Sequence, residues 1–380
     1  MQRSRQIIGL DLVRFAAACL VMLFHLGYWY GDTAASVAKV AVQFNELAIF
    51  RFGRVAPCIF FVLSGFVIAY SAHNSTASAF LRGRVLRLMP AIWIIAPISL
   101  GVLFAVGFAP PAELIERFLR SITLFPFGPW VDGVYWTLSV EVMFYGLILA
   151  LLVLNRFRWV GPLMAVVGGI SACFWIARAF GFDMTPHFAA GTPQIGNPNF
   201  TDRIMELSLI YYGCFFALGV YLWLSFYQGL TGLQKLYVGV FIIGCYLNIE
   251  SRGAFILFVA AVLAMILSIR FNDQFGINSR INTTLRILGL TTYPLYLLHD
   301  VVGAAIIGRL VQAGISPYPA LIISLIIVLG ISSSIAMMIE PQIRAHTASC
   351  LALISERFRN VWFAINSTVK RPSVPRSQSH

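Results

Sequence analysis

Apolar runs of roughly twenty residues, separated by short polar segments, recur along almost the whole chain. A helix needs about 20 apolar residues to cross a bilayer. Ten stretches qualify: 7–30, 55–73, 89–109, 134–154, 159–181, 206–227, 233–249, 253–270, 288–312 and 317–339. The pattern predicts an all-α fold, a polytopic transmembrane helix bundle of about ten spans. Charge sorts the connections. With the N-terminus in the cytoplasm, Arg82, Arg84, Arg87, Arg156, Arg158 and the basic residues from Arg344 onward fall inside. Cationic loops favour that side, so both termini are expected to be cytoplasmic. The long connections 31–54, 110–133 and 182–205 are then outside. The membrane part is expected over 5–345. Beyond it, Leu351, Ile354, Phe358, Val361, Trp362 and Ile365 stand at helical spacing. They predict an amphipathic helix over 346–365 on the cytoplasmic membrane surface. Residues 366–380 are polar and basic with two prolines, and read as a disordered tail.

Composition agrees with a membrane protein. The chain has 380 residues, 59% hydrophobic and 11% charged, against about 25% charged in a soluble domain. The net charge of +12 is explained by cationic loops and tail. No basic module stands apart from the spans, so no nucleic-acid partner is expected. None of the cysteines forms a C-x-x-C pair, and no metal site is expected.

The polar residues inside the spans carry the chemistry, because a charge at membrane depth is costly and usually functional. Arg14 and His25 share the first span. Eleven residues at about 100° each bring them to within roughly 20° of one helix face, about 16 Å apart along the axis. Asp11, one turn before Arg14, can pair with it, or Arg14 can snorkel to the surface. Glu141 enters the fourth span from the opposite end, at a depth similar to that of His25. The two can meet, and a carboxylate beside an imidazole orients it as a general base. A structural ion pair is the alternative. Arg84 and Arg87, one turn apart beside Arg82, can grip a phosphate or simply anchor the cytoplasmic side. His299 lies near mid-membrane after Tyr293-Pro294. Ser64-Gly65 permits a close backbone approach, and Glu340-Pro341 ends the last span.

Taken together, these pieces resemble the acyltransferase-3 family of integral membrane acyltransferases. The matching segments are Gly9-Leu10-Asp11-Leu12-Val13-Arg14 with His25, Phe61-Val62-Leu63-Ser64-Gly65-Phe66, and Arg82-Gly83-Arg84 with Arg87. Trp136-Thr137-Leu138-Ser139-Val140-Glu141 with Tyr145, Tyr293-Pro294-Leu295-Tyr296-Leu297-Leu298-His299 and Glu340-Pro341 complete the set. The resemblance implies transfer of an acyl group, commonly acetyl from acetyl-CoA, to a sugar hydroxyl of an exported or surface glycan or a lipid-linked sugar. It implies a multi-pass protein of the bacterial inner membrane, in contact with lipids and with glycan-export machinery as a partner, without the extracytoplasmic esterase-like domain of some members. On this reading His25 and Glu141 are catalytic, as general base or brief acyl carrier. Arg14, Arg82, Arg84 and Arg87 hold the donor. Asp11, Ser64, Trp136, Tyr145, Tyr293, His299 and Glu340 shape the cavity. A polysaccharide or lipid transporter, or a structural subunit of an export complex, would also need buried charges in a bundle.

Overall fold

The computed structural model describes residues 7–28, 37, 40, 44–182, 200–249, 251–272 and 279–369. All regular elements among them are helical. They are α1 (Ile8–Leu23), α2 (Ala56–Ala72), α3 (Ala77–Ala105), α4 (Pro111–Ile122), α5 (Tyr135–Val153), α6 (Val160–Ala179) and α7 (Phe200–Leu207). Then come α8 (Gly213–Tyr227), α9 (Gly232–Ile249), α10 (Arg252–Arg270), α11 (Ser279–Gln312), α12 (Pro317–Ser334) and α13 (Glu340–Val369). Among the described residues nine helical stretches are long and apolar enough to cross a membrane, and α8 is a shorter apolar helix. Val153, Val166, Ile170, Ile256 and Ile326 are exposed on the spans, a surface suited to lipid.

Lipid tails are as apolar as leucine, so close packing rather than water exclusion holds such helices together. Glycines sit where the backbones come closest. A Cβ on Gly65 of α2 would stand 3.0 Å from Gly219 Cα of α8, so the close approach expected at Ser64-Gly65 is made there. The pair that builds the site is α1 and α11. Both start from the Arg84 end of the bundle and run towards the His25 end. A Cβ on Gly289 would lie 2.6 Å from Asp11 Cβ, and one on Gly303 would lie 2.7 Å from Leu26 Cδ1. These two contacts lock the helices in register over their length.

Several boundaries differ from the hydrophobic pattern. The run 206–227 is not one helix. It is broken between α7 and α8, where Leu209 takes a left-handed φ of 63°. The segment 82–87 is not a loop: it lies inside α3, whose Thr76 cap accepts the Ala79 N–H at 3.2 Å. The connection 110–133 contains α4, begun by Pro111 at a position that needs no N–H donor and carrying the Arg117–Glu113 pair at 2.6 Å. The last span does not stop at 339. A π-helical turn at Ile335–Ile339 widens the helix just where Pro341 would crowd the preceding carbonyls, and α13 continues to Val369. The helix expected over 346–365 is thus part of α13, which also takes in 366–369. Residues 370–380 lie outside the described residues, as does most of the expected connection 182–205.

Candidate active site

Two groups of polar residues occupy opposite ends of one seam between α1, α2, α3, α5 and α11. At the first end, Arg14 donates to Asp11 at 2.9 Å, so pairing rather than snorkelling describes it. Arg84 lies over the rings of Phe80 at 5.5 Å and Tyr145 at 5.8 Å. Arg87 is close enough to Arg14 and to Arg84 to repel each of them. Three like charges at one place are stable only with anions nearby. Glu141 supplies one, and the Ser64 hydroxyl donates to it. Glu340 supplies another; it is buried, pairs with Arg344 and feels Arg87.

Arg14, Arg84 and Arg87 open onto a narrow cavity of about 70 Å³. Ser64, Glu141, Tyr145 and Tyr293 also line it, and Thr137 and Tyr296 do so as well. Thr137 and Glu141 are four residues apart on α5, one turn of a single face. The Tyr293 hydroxyl and Arg84 Nε are buried with no hydrogen-bond partner among the described residues. Arg82 is exposed and does not line this cavity. Trp136 does not line it either; its indole belongs to a separate cleft.

The Thr137 and Tyr296 hydroxyls bond to each other at 2.7 Å. Beyond Tyr296 lies the second group. The Tyr296 ring is 5.9 Å from His299, and His299 meets His25 edge-on at 5.1 Å. His25 Nδ1 stands 3.5 Å from Asp300 Oδ1. The carboxylate beside His25 is therefore Asp300, not Glu141. Depth by residue count set Glu141 level with His25, but Glu141 turns to α2 and the arginines at the other end of the seam, whereas parallel packing of α1 on α11 brings Asp300 to His25. His25 also sits in a π-helical turn, Phe24–Tyr28, a form that often marks functional positions.

The two imidazoles differ in access. The side chain of His25 is 22% exposed, whereas His299 is wholly buried. His299 Nδ1 donates to the Leu295 carbonyl at 3.2 Å, and its Nε2 has no partner among the described residues. His25 is thus the imidazole an incoming molecule can reach, and His299 is its packing neighbour.

Asp132, just before α5, completes the group. Its Oδ1 accepts from Val134 N–H at 3.0 Å and its Oδ2 from Val301 N–H at 3.4 Å. Burial first, and the Asp300 carboxylate second, push the Asp132 carboxyl well above the ordinary carboxylate range. The folded chain therefore keeps a proton that the unfolded chain releases. Stability should fall as pH rises from the usual carboxylate pKa of about 4 towards the raised one. Asp132→Asn should flatten that slope. Thermal unfolding in detergent at pH about 5 and about 8 checks it; an unchanged slope would place the retained proton elsewhere.

Sequence reasoning missed Asp300, Asp132, Thr137 and Tyr296 as site residues. Thr137 carried a signal in its spacing from Glu141, and Asp300 in its place beside His299. Asp132, in an outer connection, carried none. No group of three or more metal-ligating side chains is present among the described residues.

The sequence pattern of a protein family described as an acyltransferase domain matches residues 7–337. Nodulation protein 10 of Rhizobium leguminosarum bv. viciae is 27% identical over 215 residues, covering 50% of this chain and 56% of that protein. The match thus spans little more than half the length of that curated relative. No solved structure matches the chain.

Proposed function

The chain belongs to the acyltransferase 3 family of multi-pass membrane acyltransferases, and from that premise we propose that it moves an acetyl group from acetyl-CoA to a sugar hydroxyl of an exported or surface glycan. In this reading the protein sits in the bacterial inner membrane with the Arg84 end in the cytoplasm. Arg84 and Arg87, with Arg14, hold the phosphates of CoA. Arginine suits that task because its planar fork pairs with phosphate oxygens two at a time. Glu141, fixed by Ser64, offsets the cations and places them. The slender arm of the donor threads the narrow cavity towards Thr137 and Tyr296.

His25 then takes the proton of the acceptor hydroxyl. The freed oxygen attacks the thioester carbonyl carbon, the C–O bond forms and the C–S bond breaks. The leaving sulfur receives the proton back from the imidazolium. Asp300 at Nδ1 orients the ring and stabilises its charged form during the transfer. The observation that carries this reading is the seam itself. Three arginines line a cavity that reaches Thr137 and Tyr296, and beyond Tyr296 and His299 stands the partly exposed His25 with Asp300 at its Nδ1. Mass spectrometry of envelope glycans tests it. Cells with the active chain should carry O-acetyl groups that cells with His25→Ala lack; identical glycans would overturn the proposal.

A further inference from the structure

A second cleft lies at the His25 end, between the start of α2, the start of α5, the end of α6, α7 and the end of α9. Its volume is about 350 Å³, against about 70 Å³ for the arginine-lined cavity on the same measure. Its walls are aromatic and polar together. Trp136, Trp175, Tyr211 and Tyr212 provide ring surface, and Asp202, Glu206 and Asn248 provide hydrogen-bonding groups.

From this lining we infer that the cleft is a saccharide-binding site for a neutral or amino-sugar chain, and that it presents the acceptor to His25. A pyranose has an apolar C–H face that stacks on an aromatic ring, and a rim of hydroxyls that donate to carboxylates and accept from amides. The lining offers both. Glu206 is already paired with Arg203 behind the wall, which leaves Asp202 facing the single guanidinium of Arg54; such a lining carries no cluster of free cations to hold uronates, phosphates or anionic lipid headgroups. The carboxylates and the amide also make it a poor seat for an acyl chain.

The walls are fixed before anything binds. Trp175 Nε1 donates to the Tyr211 carbonyl at 2.9 Å, and Asn248 Nδ2 donates to the same oxygen at 3.2 Å. The Tyr211 hydroxyl donates to Asp202 at 2.6 Å. Buried Arg203 donates to Glu206 at 2.6 Å and packs on Trp130 at 5.0 Å. Such locking lowers the entropy lost on binding.

The cleft also adjoins the reaction seam. Phe61 lines the narrow cavity and its ring meets Trp136 at 6.2 Å and Tyr212 at 5.0 Å. Trp136 precedes Thr137, which faces the cavity. One aromatic layer thus divides the two spaces. The term acceptor rests on the acyl-transfer reading; saccharide binding does not.

The test uses the full chain in lipid nanodiscs and equilibrium dialysis with labelled tetrasaccharides: cellotetraose, tetraglucosamine, N-acetylated tetraglucosamine and tetragalacturonate. A neutral or amino tetrasaccharide should bind, and tetragalacturonate should not. Trp175→Ala and Asp202→Asn should each weaken binding about tenfold or more, with acetyl-CoA binding unchanged. Trp175→Phe, which keeps a stacking face, should retain most of the affinity and guards against a folding defect in the alanine variant. Saccharide affinity unmoved by both variants, or no neutral or amino tetrasaccharide bound by protein that binds acetyl-CoA, overturns the site. Saccharide bound without acetyl transfer would leave the cleft standing and count against the acyltransferase mechanism. Transfer with an acceptor KM unmoved by Trp175→Ala would do the reverse.

Discussion

His25→Ala should lower kcat for acetyl transfer by about 10²–10⁴-fold, the usual worth of a positioned general base, while acetyl-CoA still binds. His25 is the reachable imidazole of the pair, and Asp300 stands 3.5 Å from its Nδ1. Asp300→Asn keeps an oxygen near that nitrogen but removes the charge that stabilises an imidazolium. It should also reduce kcat strongly, by about 10² or more, with little change in donor KM. Glu141→Gln separates the two carboxylates. It should move donor KM rather than kcat, because Glu141 belongs with Ser64 and the arginines. A kcat loss for Glu141→Gln with none for Asp300→Asn would reverse the assignment. Steady-state kinetics with purified protein in nanodiscs, varying acetyl-CoA and acceptor separately, decide it.

The second large effect is at the other end of the seam. Arg84→Ala with Arg87→Ala should weaken acetyl-CoA binding by about 10²–10⁴-fold. That estimate takes one charge-assisted hydrogen bond of about 1.5–3 kcal/mol lost at each position. Binding of dephospho-CoA should suffer less if one of the lost bonds is to the ribose phosphate. Lysine at both positions restores charge without the planar fork, so it should rescue only part of the affinity. Isothermal titration with acetyl-CoA measures both. Unchanged affinity in the double alanine variant would leave these arginines as membrane anchors only.

Much of this was legible in the sequence, for reasons that also mark its limits. Spans are announced by uninterrupted apolar length, and that property does not depend on neighbours. Arg14 with Asp11, and Arg84 with Arg87, are separated by single helical turns, so a local rule places them together. His25 and its carboxylate are separated by most of the chain. Depth arithmetic ranks residues by height in the membrane, but it does not say which helix lies beside which. Such grounds point to Glu141, and only the packing of Gly289 on Asp11 and Gly303 on Leu26 brings Asp300 to His25 instead. The π-helical turns at Phe24–Tyr28 and Ile335–Ile339 were hidden for a related reason. The first is a local widening with no distinct composition, and the second has only Pro341 beyond it as a signal. The break at Leu209 was masked because Leu207, Leu209 and Ile210 carry the apolar pattern across it.

In the proposed mechanism one seam links a donor held by arginines to a hydroxyl activated by His25 on the opposite side. Sealed inverted vesicles test it most directly, with labelled acetyl-CoA supplied outside and acceptor saccharide enclosed within. Label should appear on the enclosed saccharide with the wild-type chain and not with His25→Ala, while Arg84→Ala/Arg87→Ala should recover transfer at high acetyl-CoA. Transfer at the wild-type rate by a His25→Ala protein that binds acetyl-CoA normally would contradict it.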